Sequence, residues 1–205
     1  MSNDGNSLIT QINKLIEINS DSNLKYINKE DIINYISLSF ESIIHNNKTM
    51  GKKQIKINDP FYSKNIPVLS LNKYLIRIMK YTECENNTLI VAYLYIIKLI
   101  QKNNFVLGIN NIYRLLLGSI TLAKKVLEDI RLDNAYYCNI GGISAKELNI
   151  IEYNLFIKLN FDINLKRRDI YKVYEQILKN LPPKRLYQIF QEEKSIDIAV
   201  NKGNE

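Results

Sequence analysis

LIVAYLYIIKLI at 89–100 and IYRLLLGSITLA at 112–123 carry apolar or small residues around most of a helical circumference, interrupted by Lys98 and Arg114. A helix with so little polar surface needs other helices around it. Outward from this pair, periodicity supplies those neighbours. Ser70 is read as the cap of a helix over Leu71–Tyr81, with Leu71, Leu75 and Ile78 on one face. Asn86 or Asn87 is read as the cap of Thr88–Gln101, and Asn110 as the cap of Asn111–Asp129. Ser144 and Glu147 stand in the S-x-x-E spacing of a capping box, opening a helix whose buried stripe is Leu148, Ile151, Leu155 and Leu159. Asp169 caps a further helix through Leu178, ended by Pro182 and Pro183, before a short amphipathic segment with Leu186, Ile189 and Phe190. Upstream, Ile32, Ile36, Phe40 and Ile43/Ile44 recur at helical spacing over Lys29–Ile44, and Leu8–Ile18 carries a weaker pattern. The run HNNKTMGKKQIKINDP at 45–60 breaks the periodicity. The fold class is therefore all-α: five helices around a nearly all-apolar third one.

Composition excludes much chemistry. A chain of 205 residues with 46% hydrophobic and 24% charged side chains buries roughly 70% of its unfolded surface and needs no disulfide or metal staple. Two cysteines, Cys84 and Cys138, and a single histidine, His45, assemble neither a conventional zinc site nor a His-based triad. No catalytic, cofactor, metal or small-molecule site is expected. The apolar stretch Leu89–Ile97 stops at Lys98, short of the roughly 18–20 residues that cross a bilayer, so no membrane span is expected. The polar, acidic opening MSNDGNSLITQINK does not read as a signal peptide and, with free thiols, predicts an intracellular protein of cytoplasm or nucleus. The net charge of +7 is compatible with an acidic partner or with nonspecific nucleic-acid binding.

Three runs carry more specific information: FYSKNIPVLSLNKYLIRIMKY at 61–81, NIYRLLLGSITLAKKVLED at 111–129, and NAYYCNIGGISAKELNIIEYNLFIKLNFDINL at 134–165. In order they hold Phe-x-Ser, Ile-Pro, Tyr-Leu-x-Arg-Ile, Tyr-Arg-Leu-Leu-Leu, Ala-x-Lys, Glu-Asp, Asn-x-Tyr-Tyr, Gly-Gly-Ile-Ser and Glu-Leu-Asn-x-x-Glu. This ordered set closely resembles the cyclin box of the P/U-type cyclins over roughly Pro60–Leu165. The resemblance implies a five-helix box at 59–165 around a central third helix. It leaves a polar N-terminal segment at 1–58 with one or two flanking helices, and a C-terminal helical extension at 166–205.

What the resemblance implies about function is regulatory. A cyclin has no reaction of its own; it forms a heterodimer with a cyclin-dependent protein kinase and holds the kinase C-helix inward, so that the Lys-Glu pair of the kinase forms. Turning a mostly inactive kinase into a mostly active one requires preferential binding of about 5 kcal/mol, drawn from an interface on the order of 2,000 Å². The family's contact lysine and glutamate fall on Lys125 and Glu152, with Lys124 adjacent to the first, and the acidic pair after the lysine falls on Glu128 and Asp129. Two acids at a helix C-terminus oppose its dipole, which points to an outside partner unless Arg131 neutralises them.

Other residues have plainer readings. Gly141 and Gly142 lack a phosphate-loop pattern and mark a turn before Ser144. Arg77 and Arg114 are read as arginines bridging helices, and the 14 tyrosines as half-buried packing residues. LNKYLIRIMKY lacks the Met-Arg-Ala-Ile-Leu motif and tryptophan of A-type cyclins, so an Arg-x-Leu docking groove is not implied. Two alternatives compete with the kinase regulator. One is a cyclin-fold nucleic-acid module of the factor IIB kind, motivated by the net charge and by LKRR at 165–168. The other is a helical adaptor that binds a kinase without activating it.

Overall fold

The computed structural model describes residues 26–54, 59–129, 132–189 and 191–192; the helix expected at Leu8–Ile18, Arg131 and Phe190 lie outside them. Helices run over Lys29–Thr49 (α1), Leu71–Thr82 (α2), Asn86–Asn103 (α3), Ile109–Leu127 (α4), Asn134–Gly141 (α5), Ala145–Lys158 (α6) and Arg167–Asn180 (α7). Residues 183–189 are also helical, and there is no strand among the described residues. The chain divides into two compact units, Ile33–Lys166 and the residues up to Ile32 taken with Arg167 onward.

In the larger unit α4, third of the five helices α2–α6, packs against all four others. Leu115, Leu116 and Ile120 of α4 and Leu148, Ile151 and Leu155 of α6 are fully buried, each contributing about 1.5–3 kcal/mol relative to exposure. Gly118 lets the two helices approach, because a Cβ there would lie 2.4 Å from Ile151 Cγ2. On the other side the Tyr74 and Tyr113 rings meet edge to face at 5.0 Å, and the Tyr113 hydroxyl donates to the Leu69 carbonyl at 2.7 Å. Residues 33–49 of α1 belong to the same unit. Phe40 packs on Tyr93 at 5.2 Å, and Asn47 Nδ2 donates to the Leu107 carbonyl at 3.0 Å.

The ends of the helices show where local rules prevailed and where they did not. Ser70 caps α2 by accepting from the Lys73 N–H at 3.4 Å. The capping box of α6 is complete: Ser144 Oγ accepts from the Glu147 N–H at 3.2 Å, and Glu147 Oε2 accepts from the Ser144 N–H at 2.9 Å. The expected asparagine caps of α3 and α4 are not formed. α3 starts after Glu85, whose N–H donates to Glu128 Oε1 at 3.1 Å. α4 starts two residues earlier than Asn110 would allow, after Gly108, while Asn110 Nδ2 ties the helix to the Ser63 carbonyl at 2.9 Å. α4 also ends at Leu127 instead of Asp129, and α7 begins at Arg167, which puts Asp169 inside its first turn.

The fifth helix of the bundle around α4 is α5, not the helix expected at 169–178. Its eight residues were not expected to be helical; Asp133 caps it, and Gly142 closes it at φ 67 with its N–H on the Cys138 carbonyl at 2.8 Å. Such a left-handed closing residue is ordinary for glycine, and it accounts for the Gly-Gly pair as a turn.

The smaller unit has its own core in Ile27, Ile32, Val173, Ile177, Leu178 and Ile189. Asn28 and Asp31 cap α1 reciprocally, the Asp31 N–H on Asn28 Oδ1 at 2.8 Å and the Asn28 N–H on Asp31 Oδ2 at 3.1 Å. Arg185 joins the two sequence ends of this unit. Its Nε donates to Asp31 Oδ2 at 3.0 Å and its Nη2 to the Tyr26 carbonyl at 2.8 Å.

Candidate functional site

The C-terminal turn of α4 holds two consecutive lysines, and helix rotation of about 100° per residue gives them different environments. Lys124 is 3% exposed and pairs with Glu128 within the same helix end. Glu128 Oε1 also accepts from Thr88 Oγ1 at 2.7 Å and from the Glu85 N–H. Burial alone would lift the Glu128 carboxyl, but hydrogen bonds from Lys124, Thr88 and the Glu85 backbone outweigh it and hold the group below the usual carboxylate range. Lys124 and Glu128 therefore form an internal tie between the end of α4 and the start of α3. They do not present the outward-facing charges anticipated for them, because each is satisfied inside the fold.

Lys125 faces the other way. Its Nζ lies 2.8 Å from Glu152 Oε1 and 2.9 Å from Oε2, joining α4 to α6 across 27 residues of sequence. Its side chain is 33% exposed and that of Glu152 11%. Asn134, the first residue of α5, donates to Glu152 Oε2 at 3.2 Å and to Asn149 Oδ1 at 2.7 Å. It thereby fixes the carboxylate from a third helix. Asn134 had no assigned role in the sequence, although it opens the Asn-x-Tyr-Tyr motif. Asp129 is exposed and makes no hydrogen bond or ion pair among the described residues.

Beneath the pair the floor is neutral. Burial, together with Cys84, Glu128 and Glu152, pushes the Tyr137 phenol well above its ordinary value. Burial, then Glu152, Asp133 and Glu147, raises the Cys138 thiol, which disfavours a reactive thiolate. The elements that carry the pair also expose apolar side chains. Val126 and Leu127 are about half exposed at the end of α4, and Tyr153 and Phe161 are 65% and 63% exposed. Phe156, one helical turn after Glu152, stacks edge to face with Phe161 at 4.9 Å. Phe161 has φ 59, a left-handed conformation that bulky residues seldom adopt. An open depression of about 580 Å³ adjoins Lys125, lined by Leu132, Asp133, Asn134, Ala135, Ala145 and Asn149.

Arg114 bridges elements as its sequence pattern implied. Its Nη2 reaches Glu147 Oε1 at 2.5 Å and its Nη1 the Pro60 carbonyl at 3.3 Å. Arg77 does not: it is exposed on α2 and has no hydrogen bond or ion pair among the described residues. Among the described residues no three His, Cys, Asp or Glu side chains are gathered as metal ligands, and no helix is long and apolar enough to cross a membrane.

A charged pair set in an exposed apolar field, on a bundle of five helices around a buried third one, has the make-up of a protein-docking surface. The family model for Cyclin matches residues 6–163. Cyclin-U4-1 of Arabidopsis thaliana is 37% identical over 107 residues, 51% of this chain and 52% of that protein. Cyclin-U1-1 of the same plant is 32% identical over 141 residues, 67% of each chain. Cyclin-P3-1 of Oryza sativa subsp. japonica is 30% identical over 125 residues, 61% of this chain and 51% of that protein. The chain thus spans about half to two thirds of the length of these curated relatives. It belongs to the cyclin family, on its P/U-type side.

Proposed function

We propose that the chain binds a cyclin-dependent protein kinase through the surface centred on Lys125 and Glu152 and activates it by holding the kinase C-helix inward. The observation that carries this reading is the pair itself: two residues of distant sequence, 2.8 Å apart, braced by Asn134 on elements that also expose Val126, Leu127 and Tyr153. In the complex Lys125 donates to a kinase carbonyl and Glu152 accepts from a kinase N–H. Charge-assisted bonds of this kind contribute roughly 1.5–3 kcal/mol. Val126, Leu127, Tyr153 and Phe161 supply the apolar burial that makes up the rest of the binding. Asp129 adds an exposed acid at the rim, the position where charge steers association.

Activation is then a population shift with no chemistry on the cyclin side. The kinase bound with its C-helix inward gains these contacts, and the kinase with its C-helix outward does not. The test is to co-express the chain with cyclin-dependent kinases, capture the complex and measure phosphate transfer. Lys125→Glu or Glu152→Ala should weaken capture by about 2–5 kcal/mol. The swapped variant Lys125→Glu with Glu152→Lys restores an internal ion pair yet should still fail to capture the kinase. Folded variants that bind and activate as well as the native chain refute the site. Capture without a rise in kinase activity refutes the activating role and favours the adaptor.

A further inference from the structure

The stretch 60–82, from the loop before α2 to the end of that helix, holds Lys64, Lys73, Arg77 and Lys80 and no Asp or Glu. Lys73, Arg77 and Lys80 stand at i, i+4 and i+7 and so share one face of α2 over about 10 Å. All four cations are exposed, and none has a carboxylate partner among the described residues, whereas Lys98, Lys102, Arg114, Lys124 and Lys125 of the same unit each hold one. Apolar side chains are interleaved with them: Ile76 is 44% exposed, Tyr81 51%, and Val68 is fully exposed. A single exposed apolar side chain is ordinary on a protein surface. Val68 differs because its loop is held at both ends. The Ser63 N–H donates to the Asn110 carbonyl at 2.8 Å, and the Tyr113 hydroxyl donates to the Leu69 carbonyl at 2.7 Å. Pro67 fixes φ in the span between. The valine therefore projects from a loop pinned to α4, two residues before Ser70, the cap of α2, and the apolar tip adjoins the cationic row.

We propose that the loop at 63–69 and the exposed face of α2 form a contact surface for an anionic phospholipid membrane. Val68 enters the headgroup boundary, Lys73, Arg77 and Lys80 meet lipid phosphates and carboxylates, and Tyr81 takes the interfacial place that its half-apolar ring favours. Each cation near such a surface strengthens binding about fivefold, so three of them with one small apolar anchor make a weak, reversible contact and not an insertion. A nucleic acid fits less well: three cations over about 10 Å of helix neutralise few phosphates, and nothing in a sugar-phosphate backbone matches a fully exposed valine. The surface lies on a different helix from Lys125 and Glu152, so it does not depend on the kinase-binding reading.

The full chain is mixed with vesicles of phosphatidylcholine alone or with about 30% phosphatidylserine, and the bound fraction is read by sedimentation. The mixed vesicles should bind the chain and the neutral ones should not, and raising NaCl from about 50 to about 300 mM should weaken binding severalfold. Lys73→Gln with Arg77→Gln and Lys80→Gln should lower the affinity roughly a hundredfold. Lys172→Glu, at an exposed cation of α7, should change it by less than about twofold, since a charge remote from the contact is screened. The chain has no tryptophan, so Val68→Trp is a single reporter: its emission should shift to the blue on mixed vesicles and be quenched by brominated lipid. All the substituted residues are exposed, and an unchanged circular-dichroism melt verifies the fold. No binding to mixed vesicles, equal binding to neutral ones, binding that survives the triple substitution, or an equal loss with Lys172→Glu overturns the proposal. So does Val68→Trp emission that fails to move, or tighter binding to oligo-dT than to the mixed vesicles.

Discussion

Adding one methyl group at Gly118 tests whether the close approach of α4 and α6 sets the geometry of the Lys125–Glu152 surface. The new Cβ would lie 2.4 Å from Ile151 Cγ2 and 3.7 Å from Ile151 Cβ. Carbon atoms rest at about 3.5–4.0 Å, so the Ile151 branch must retreat by about 1 Å. Ile151 is fully buried, and overpacking of that kind costs about 1–3 kcal/mol. Helix propensity acts the other way, since alanine in a helix interior is about 0.5–1 kcal/mol better than glycine. Gly118→Ala should therefore destabilise the chain by about 1–2 kcal/mol, read as a lower urea midpoint at unchanged slope. In an Ile151→Ala background only the 3.7 Å contact remains, which is ordinary van der Waals contact. There the same substitution should stabilise by about 0.5–1 kcal/mol, although Ile151→Ala itself costs about 2–5 kcal/mol. The sign of the effect thus reverses between backgrounds. If Gly118→Ala stabilises the native chain, or destabilises both backgrounds equally, steric contact does not set the helix separation.

Ser119 Oγ is buried without a hydrogen-bond partner among the described residues, so Ser119→Ala should raise stability by about 1 kcal/mol, measured as a higher urea midpoint. Arg185→Ala strips the guanidinium from Asp31, whose side chain is 9% exposed, and should cost about 2–4 kcal/mol locally. Hydrogen exchange should quicken over residues 26–32 and 167–189 while the amides of α4 keep their protection. Equal loss in α4 would show that the effect is global. Glu128 has its carboxyl value lowered by folding, so its stabilisation is complete above the unfolded value and drains away as pH falls through the lower folded one. Melting temperature should drop on the acid side, below about pH 4. Glu128→Gln should lower the neutral-pH plateau and flatten that acid arm; an unchanged arm would mean that other carboxylates govern it.

The all-apolar circumference of α3 and α4 was legible because it is a property of single segments, as was the capping box of α6, whose two members are three residues apart. α5 was not legible. NAYYCNIG spans two turns, too few for a periodic stripe, and its Tyr and Cys residues read as neither clearly buried nor clearly wet. What makes it a helix is tertiary: it packs on α2, α4 and α6 with Tyr137 buried. The misread caps have the same origin. Asn110 looks like any other N-cap candidate until Ser63 is brought beside it, and Glu85, which makes no side-chain cap bond, stands at the start of α3 with its own N–H held by Glu128 from across the unit.

At the candidate site the choice between adjacent residues was a question of phase. The helix phase that buries Leu117, Ile120 and Thr121 also turns Lys124 inward, one turn beyond Ile120, and leaves Lys125 about 100° away on the outside. The backbone keeps that phase one step past the helix, since the Glu128 N–H donates to the Lys124 carbonyl at 2.9 Å. Glu128 consequently falls under Lys124, and there the helical phase ends, because Glu128 itself is extended at φ -112 and ψ 137. One rotation thus sets Lys124 inward, where with Glu128 it holds α4 to α3, and Lys125 outward, where it reaches α6. The inner pair also answers the adverse dipole that two acids at this helix end implied. Glu128 sits against a buried cation and two further donors, so a negative charge at that terminus is stabilised within the fold, without an outside partner.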